Sequence, residues 1–139
     1  MRKLIHGCRV AVRYAWASPA TLVGLTLSIV AVATGARPSV VDGIVEVSGG
    51  RLHRLIDALP AACRFGAITF GHVVICVDAA TALCSRAHEQ VHVRQYERWG
   101  ILFFPLYAAS SLVQLVRGRD PYRDNRFEHE AFGQPGDWR

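Results

Sequence analysis

Residues 88–92 read His88-Glu89-Gln90-Val91-His92, and this HExxH spacing constrains the chain more than any other feature. On a helix, positions i and i+4 stack on one face, so the two imidazoles can reach a single ion. Glu89 projects to the side, where a carboxylate can hold and deprotonate a metal-activated water. At about 100° per residue, Cys84, Val91, Gln95, Tyr96 and Trp99 fall around the histidines, whereas Arg86, Gln90, Arg94 and Glu97 fall opposite. The motif therefore sits across the apolar arc of its helix. Two core histidines satisfied by neighbours would produce the same wheel. A third ligand is what separates a metal site from an ordinary amphipathic helix.

A carboxylate of the right kind follows about one helix later. Residues 124–132 contain Phe127, Glu128, His129, Glu130, Ala131 and Phe132. On a helical wheel Phe127, Ala131 and Phe132 define an apolar arc with Glu128 inside it, His129 opposite and Glu130 beyond its edge. A carboxylate on an inward arc needs a partner, because an unpaired buried charge is costly. Two histidines with a metal ion would supply one; Arg126 or Arg123 would supply another. With the upstream motif present, Glu128 is the expected third ligand and Glu130 the fallback.

The rest of the chain limits where such a site can be. Its 139 residues make one domain with a modest core. The net charge of +5 comes almost wholly from arginine, Lys3 being the single lysine. No basic run interleaved with aromatics occurs, which argues against nucleic acid as a partner. Arginine beside long apolar runs suits an anionic membrane surface. Arg2, Lys3, Arg9 and Arg13 precede an uncharged stretch, residues 14–36, which as a helix spans roughly 34 Å, enough to cross a hydrocarbon core of about 30 Å. Tyr14 and Trp16 stand at its near end, as interfacial aromatics do. Pro19 is placed to open this helix and Gly35 to close it. A retained membrane anchor is the expectation; a signal peptide cleaved near Ala31-Val32-Ala33 and a buried soluble helix are the alternatives. The positive-inside rule then keeps the N-terminus in the cytoplasm and the metal domain outside, with a bacterial inner membrane as the expected location.

After Pro38 the pattern changes to strands. Val40-Val41 and residues 44–47 alternate around Asp42-Gly43 like a short strand or a hairpin ended by Gly49-Gly50. Leu52, Leu55, Ile56 and Leu59 follow at helical spacing up to Pro60. Residues 67–70 and 73–77 read as two β segments around Gly71-His72, a small hairpin feeding the motif helix. His72 is a conceivable ligand, although a strand histidine beside a turn glycine is more often structural. Asp78 is the expected N-cap of the motif helix, and Gly100 its end. Four cysteines (Cys8, Cys63, Cys76, Cys84) lack CxxC spacing, which argues against a thiolate zinc site; Cys63 could pair with Cys76 or Cys84.

A second uncharged run, residues 99–116, is also long enough to look transmembrane. Eighteen helical residues extend about 27 Å, whereas ligands to one ion each lie about 2 Å from it. A single crossing would put His92 and Glu128 on opposite faces. The run is therefore expected not to span, but to fold back near Pro105 or lie along the membrane. Asp120-Pro121 would open the last helix, and residues 134–139 form a loose tail. The expected organisation is a basic segment and anchor over residues 1–36, a metal-binding domain over 37–133, and the tail. The fold class is α+β and mainly helical, with a membrane helix, a small hairpin, the HExxH helix, an apolar helix and a short helix bearing the third ligand.

HEQVH on one helix, with the string FEHEA on a later one, resembles the zincin metallopeptidases of the glutamate type, the gluzincins. The likeness is to membrane-associated members whose second motif reads ExxA, and it covers about residues 67–132. It implies zinc bound by His88, His92 and Glu128, with Glu89 as catalytic base in the hydrolysis of a peptide or protein substrate at or near a membrane. It also implies an edge strand, residues 73–77, that aligns an extended substrate. The chain differs from the signature at Arg86, Arg94 and Phe132, the last standing where those relatives often have aspartate. Tyr96, Tyr122 and His129 are candidates for oxyanion stabilisation. A zincin-like protein that binds metal without hydrolysis, and a membrane structural protein in which the motif is accidental, are the other function classes. Membrane lipid is the expected partner besides substrate. Oligomeric state is open.

Overall fold

The computed structural model describes residues 2–61 and 64–133. It has the expected α+β, mainly helical layout: α1 (Arg2–Ala33), β1 (Arg37–Val41), β2 (Ile44–Ser48), α2 (Leu52–Asp57), β3 (Ala67–Phe70), β4 (Val73–Cys76), α3 (Ala79–Trp99), α4 (Phe103–Val116) and α5 (Arg126–Phe132). Pro19 lies inside α1 rather than opening it. Cys63 and the tail lie outside the described residues; Cys76 and Cys84 are free thiols.

The two hairpins do not stay separate. They join in one four-stranded sheet of order β1-β2-β4-β3, with β1–β2 and β4–β3 antiparallel and β2–β4 parallel, Val47 opposite Ile75. The expected small hairpin is present as β3–β4 and is half of this larger sheet. The sheet order corrects the expected edge: β4 is an interior strand, buried at all four positions, and β3 is the edge beside it.

Strand alternation gives the sheet two covered faces. Val47, Val73 and Ile75 pack with Ala31, Ala36 and Leu52 on the α1 side. Ile44, Val74 and Cys76 pack with Ala82 and Val93 of α3 on the other. The polar arc of α3 is consequently not a solvated face. Arg86 makes a two-pronged bond to the buried Glu46 of β2, with Nε and Nη2 each 2.8 Å from a carboxylate oxygen. Gln90 Nε2 lies 3.4 Å from Asp42 Oδ2, and Glu97 meets His72. The charged residue at the Arg86 position is thus a tie between helix and sheet. Two residues of the expected apolar arc, Cys84 and Trp99, are exposed.

Both ends of α3 are built as its sequence suggests. Asp78 Oδ1 accepts from the Thr81 N–H at 2.7 Å, and Gly100 closes the helix with φ 57°. At Gly100 a Cβ would lie 2.7 Å from the Trp16 indole of α1, so both the conformation and the close approach select glycine. A short 3-10 turn, Gly100–Leu102, leads into α4. The α-helical run breaks at Gly100, three residues ahead of α4, while Pro105 sits in the first turn of that helix.

Past α4 the chain doubles back. The expected helix start at Asp120-Pro121 is replaced by a turn in which Asp120 Oδ1 accepts from the N–H groups of Tyr122 and Arg123. The N-cap of α5 is Asn125, whose side chain accepts from the Phe127 N–H at 2.9 Å and donates to Tyr107 O and Ser111 Oγ of α4. This return holds α5 against α3. Among the described residues, two helical stretches, Val10–Ala33 and Ala79–Val116, are long and apolar enough to cross a membrane.

Candidate metal centre

His88 and His92 project from α3, and Glu128 from α5, into one buried point. His88 Nε2 is 3.1 Å from Glu128 Oε2, His92 Nε2 is 3.3 Å from Glu128 Oε1, and the two Nε2 atoms are 3.2 Å apart. All three side chains are buried. Glu128, not Glu130, is the carboxylate that enters: Glu130 is about half exposed and lies 3.7 Å from Arg98. The apolar run between the motifs therefore does not separate them, as the sequence required of a shared site.

The orientation of His92 is decided by a neighbour. Gln95 is 1% exposed, and its Nε2 donates to two acceptors, the Phe127 carbonyl and Glu130 Oε2, each at 3.0 Å. That fixes which end of the amide carries the nitrogen. Its oxygen then faces His92 Nδ1 at 2.8 Å, so Nδ1 carries a proton and Nε2 is the atom that faces Glu128 and His88. A ligating histidine characteristically donates its other ring N–H in this way. On the carboxylate side, Tyr107 donates to Glu128 Oε1 at 2.6 Å. Glu128 Oε2 is buried with no hydrogen-bond donor aligned on it, although His88 Nε2 is near. Two imidazole nitrogens and a carboxylate brought this close in a buried site are what a cation would satisfy. The donor set thus could hold a metal ion.

Burial alone would raise the Glu128 carboxyl, but the His88 and His92 imidazoles and the Tyr107 hydroxyl outweigh it and hold the group down at about 2. Glu128 is ionised at every ordinary pH, as a ligand must be.

Glu89 is buried beside the histidines, and its Oε2 accepts from Thr69 Oγ1 of β3 at 2.6 Å. The bond fixes the carboxylate from the sheet side. A cavity of about 1360 Å³ brings these groups together with β3 and with Phe103, Tyr107, Tyr122 and Phe132. Phe132 packs its ring 5.1 Å from that of His88 and 5.7 Å from that of Tyr122.

The other sequence candidates separate. His72 is not a ligand: it stacks on Tyr14 at 3.9 Å and meets Glu97 and Thr21 on the far side of α3. Tyr96 is buried against Phe103 and α1 and also lines the cavity. His129 is exposed. Tyr122 lines the cavity. Gln95, Tyr107, Thr69 and Asn125 were not assigned to the site by the sequence; only Gln95 left a signal there, one turn beyond His92 on the same arc.

No family model, curated protein or solved structure matches the chain.

Proposed function

We propose that the protein is a zinc-dependent metallopeptidase of the gluzincin kind, acting on peptide bonds at or near a membrane. The observation that carries this is the convergence of His88, His92 and Glu128 in one cavity with Glu89 held beside them. A tetrahedral zinc with bonds of about 2.0–2.1 Å places its ligand atoms about 3.3 Å apart. The two Nε2 atoms are 3.2 Å apart, which suits such an ion, and each imidazole reaches one oxygen of the Glu128 carboxylate, at 3.1 and 3.3 Å.

When bound, zinc would polarise a scissile carbonyl and lower the pKa of a water in its open fourth position toward about 7. Glu89 takes a proton from the attacking water and returns it to the leaving amine. Thr69 holds Glu89 Oε2 and so aims the carboxylate. His92 keeps its Nε2 lone pair inward because Gln95 holds the proton on Nδ1. Tyr107 steadies Glu128 by donating to its Oε1. β3, the edge strand that lines the cavity, takes the substrate-aligning role expected of residues 73–77, by pairing with an extended peptide.

Membrane association is supported by the two apolar helical stretches and by the outward-facing Leu112, Leu115 and Val116 of α4. The test of the activity is a Glu89→Gln variant beside wild type on unstructured peptides, with and without a chelator. The proposal expects cleavage by wild type alone, abolished by chelation. Equal zinc in both proteins and cleavage by neither would leave a metal-binding protein without hydrolysis.

A further inference from the structure

α1 is built with two different faces. Ala17, Ala20, Gly24, Ser28 and Ala31 are buried along one of them. A Cβ at Gly24 would come within 2.7 Å of Val73 Cβ and 3.0 Å of Phe70 Cβ, and one at Gly71 within 2.6 Å of the Thr21 backbone nitrogen. The helix is thus a covering layer of the sheet. The opposite face carries Leu22, Val23, Ile29 and Val30, each at least half exposed. Contact with the sheet runs along its length: Tyr14 donates to Gly43 O at the β1–β2 turn, and Ala31 and Ala36 pack on Val47 near the other end of β2.

We propose that α1 lies in the plane of a membrane surface, with its outer face sunk in the headgroup boundary, and does not cross the bilayer. If α1 crossed while docked as it is, the sheet beside it would stand at hydrocarbon depth. Its two edges, β1 and β3, would then present unpaired N–H and C=O groups to lipid, and open sheet edges do not occur there. Four of the five β1 residues are exposed, Arg37 among them. An in-plane helix keeps those edges in water and still covers its apolar face.

The chemistry favours an anionic lipid surface over a second copy of the chain. Arg2, Lys3, Arg9 and Arg13 open the helix in a chain of net charge +5. A second exposed apolar set, Leu112, Leu115 and Val116 on α4, is followed by Arg117 and Arg119. Two apolar faces on separate elements, each bordered by arginine, fit lipid, whereas a two-fold dimer needs one self-complementary patch. The inference rests on the membrane association proposed above and not on the zinc site.

The experiment uses the full chain, reconstituted from detergent into phosphatidylcholine vesicles with and without phosphatidylserine. Flotation of the unmodified chain is measured first; it should rise with phosphatidylserine. Nitroxide labels are then placed singly at Val12→Cys, Leu22→Cys and Ile29→Cys, with Cys8, Cys63 and Cys84 replaced by serine and the buried Cys76 retained. Depth is read from accessibility to oxygen against a water-soluble nickel complex, and circular dichroism confirms folding. Val12 and Ile29 are about 26 Å apart along the helix. The in-plane placement expects all three labels within about 10 Å of the headgroups. Leu22 near the bilayer centre, with the other labels progressively shallower toward opposite faces, would show a crossing helix and overturn the inference while leaving membrane association intact. Absence of flotation, with concentration-dependent self-association in its place, would overturn both in favour of a second copy. Neither result bears on metal content.

Discussion

Replacing Gln95 with leucine tests how the site is held. The amide makes three bonds: it accepts from His92 Nδ1 and donates to the Phe127 carbonyl and to Glu130 Oε2. Leucine keeps the volume and removes all three. Each bond contributes about 1 kcal/mol net, and a buried group left unpaired costs about 1–3 kcal/mol. Glu130 is half exposed and recovers water, so the penalty falls on His92 Nδ1 and the Phe127 carbonyl. Gln95→Leu should therefore destabilise the metal-free protein by about 3–5 kcal/mol. It should also weaken zinc binding about 10- to 100-fold, because the ligand histidine loses its orienting acceptor. Gln95→Glu separates the two roles. It still accepts from His92 Nδ1–H but turns a carboxylate oxygen toward two acceptors, so α5 should loosen while His92 remains oriented. The assays are urea denaturation without metal and zinc titration against a competing chelator. If Gln95→Leu binds zinc within about twofold of wild type, the tautomer argument fails.

Three further outcomes follow from other contacts. Asn125→Ala removes one bond to α5 and two to α4 at a fully buried site; urea denaturation should show a loss of about 2–4 kcal/mol, and the turn should become more open to limited proteolysis. Cys76, pushed up to about 12 by burial and by the charges of Glu89 and Glu46, should resist a maleimide at pH 8, while the exposed Cys84 reacts; rapid labelling of Cys76 in the folded protein would contradict the packing of α3 on the sheet. In the metal-free protein, Glu128 is held well below its ordinary value of 4.5, so its stabilisation is fully present above about pH 4.5 and is lost as the pH falls toward 2. Glu128→Gln should flatten that part of the stability–pH curve, and an unchanged curve would show that the carboxylate is not paired with the imidazoles.

Much of this arrangement was legible because local rules and the site's own geometry agree. HExxH spacing, the Asp78 cap, the Gly100 stop and the Asp42-Gly43 turn are short-range features whose physics is complete within a few residues. The inward placement of Glu128 followed from periodicity and the cost of an unpaired charge. What did not show is long-range. The parallel pairing of β2 with β4 depends on a crossover that no local pattern announces, and without it β4 looks like an edge. The wheel of α3 set Arg86, Gln90 and Glu97 opposite the histidines without naming partners; the sheet on that side supplies Glu46, Asp42 and His72. The start of α5 was misplaced because Asp120 satisfies an isolated turn as readily as a helix end. Tyr107 and Thr69 carried no motif, and their roles exist only once α4 and β3 are packed beside the ligands.

Metal analysis of the purified chain tests the central claim most directly. The account predicts about one zinc per chain in the wild type, none after His88→Ala or His92→Ala, and strong loss after Glu128→Ala with retention after Glu130→Ala. A wild type without bound metal, or zinc that survives His92→Ala in a folded protein, would contradict it.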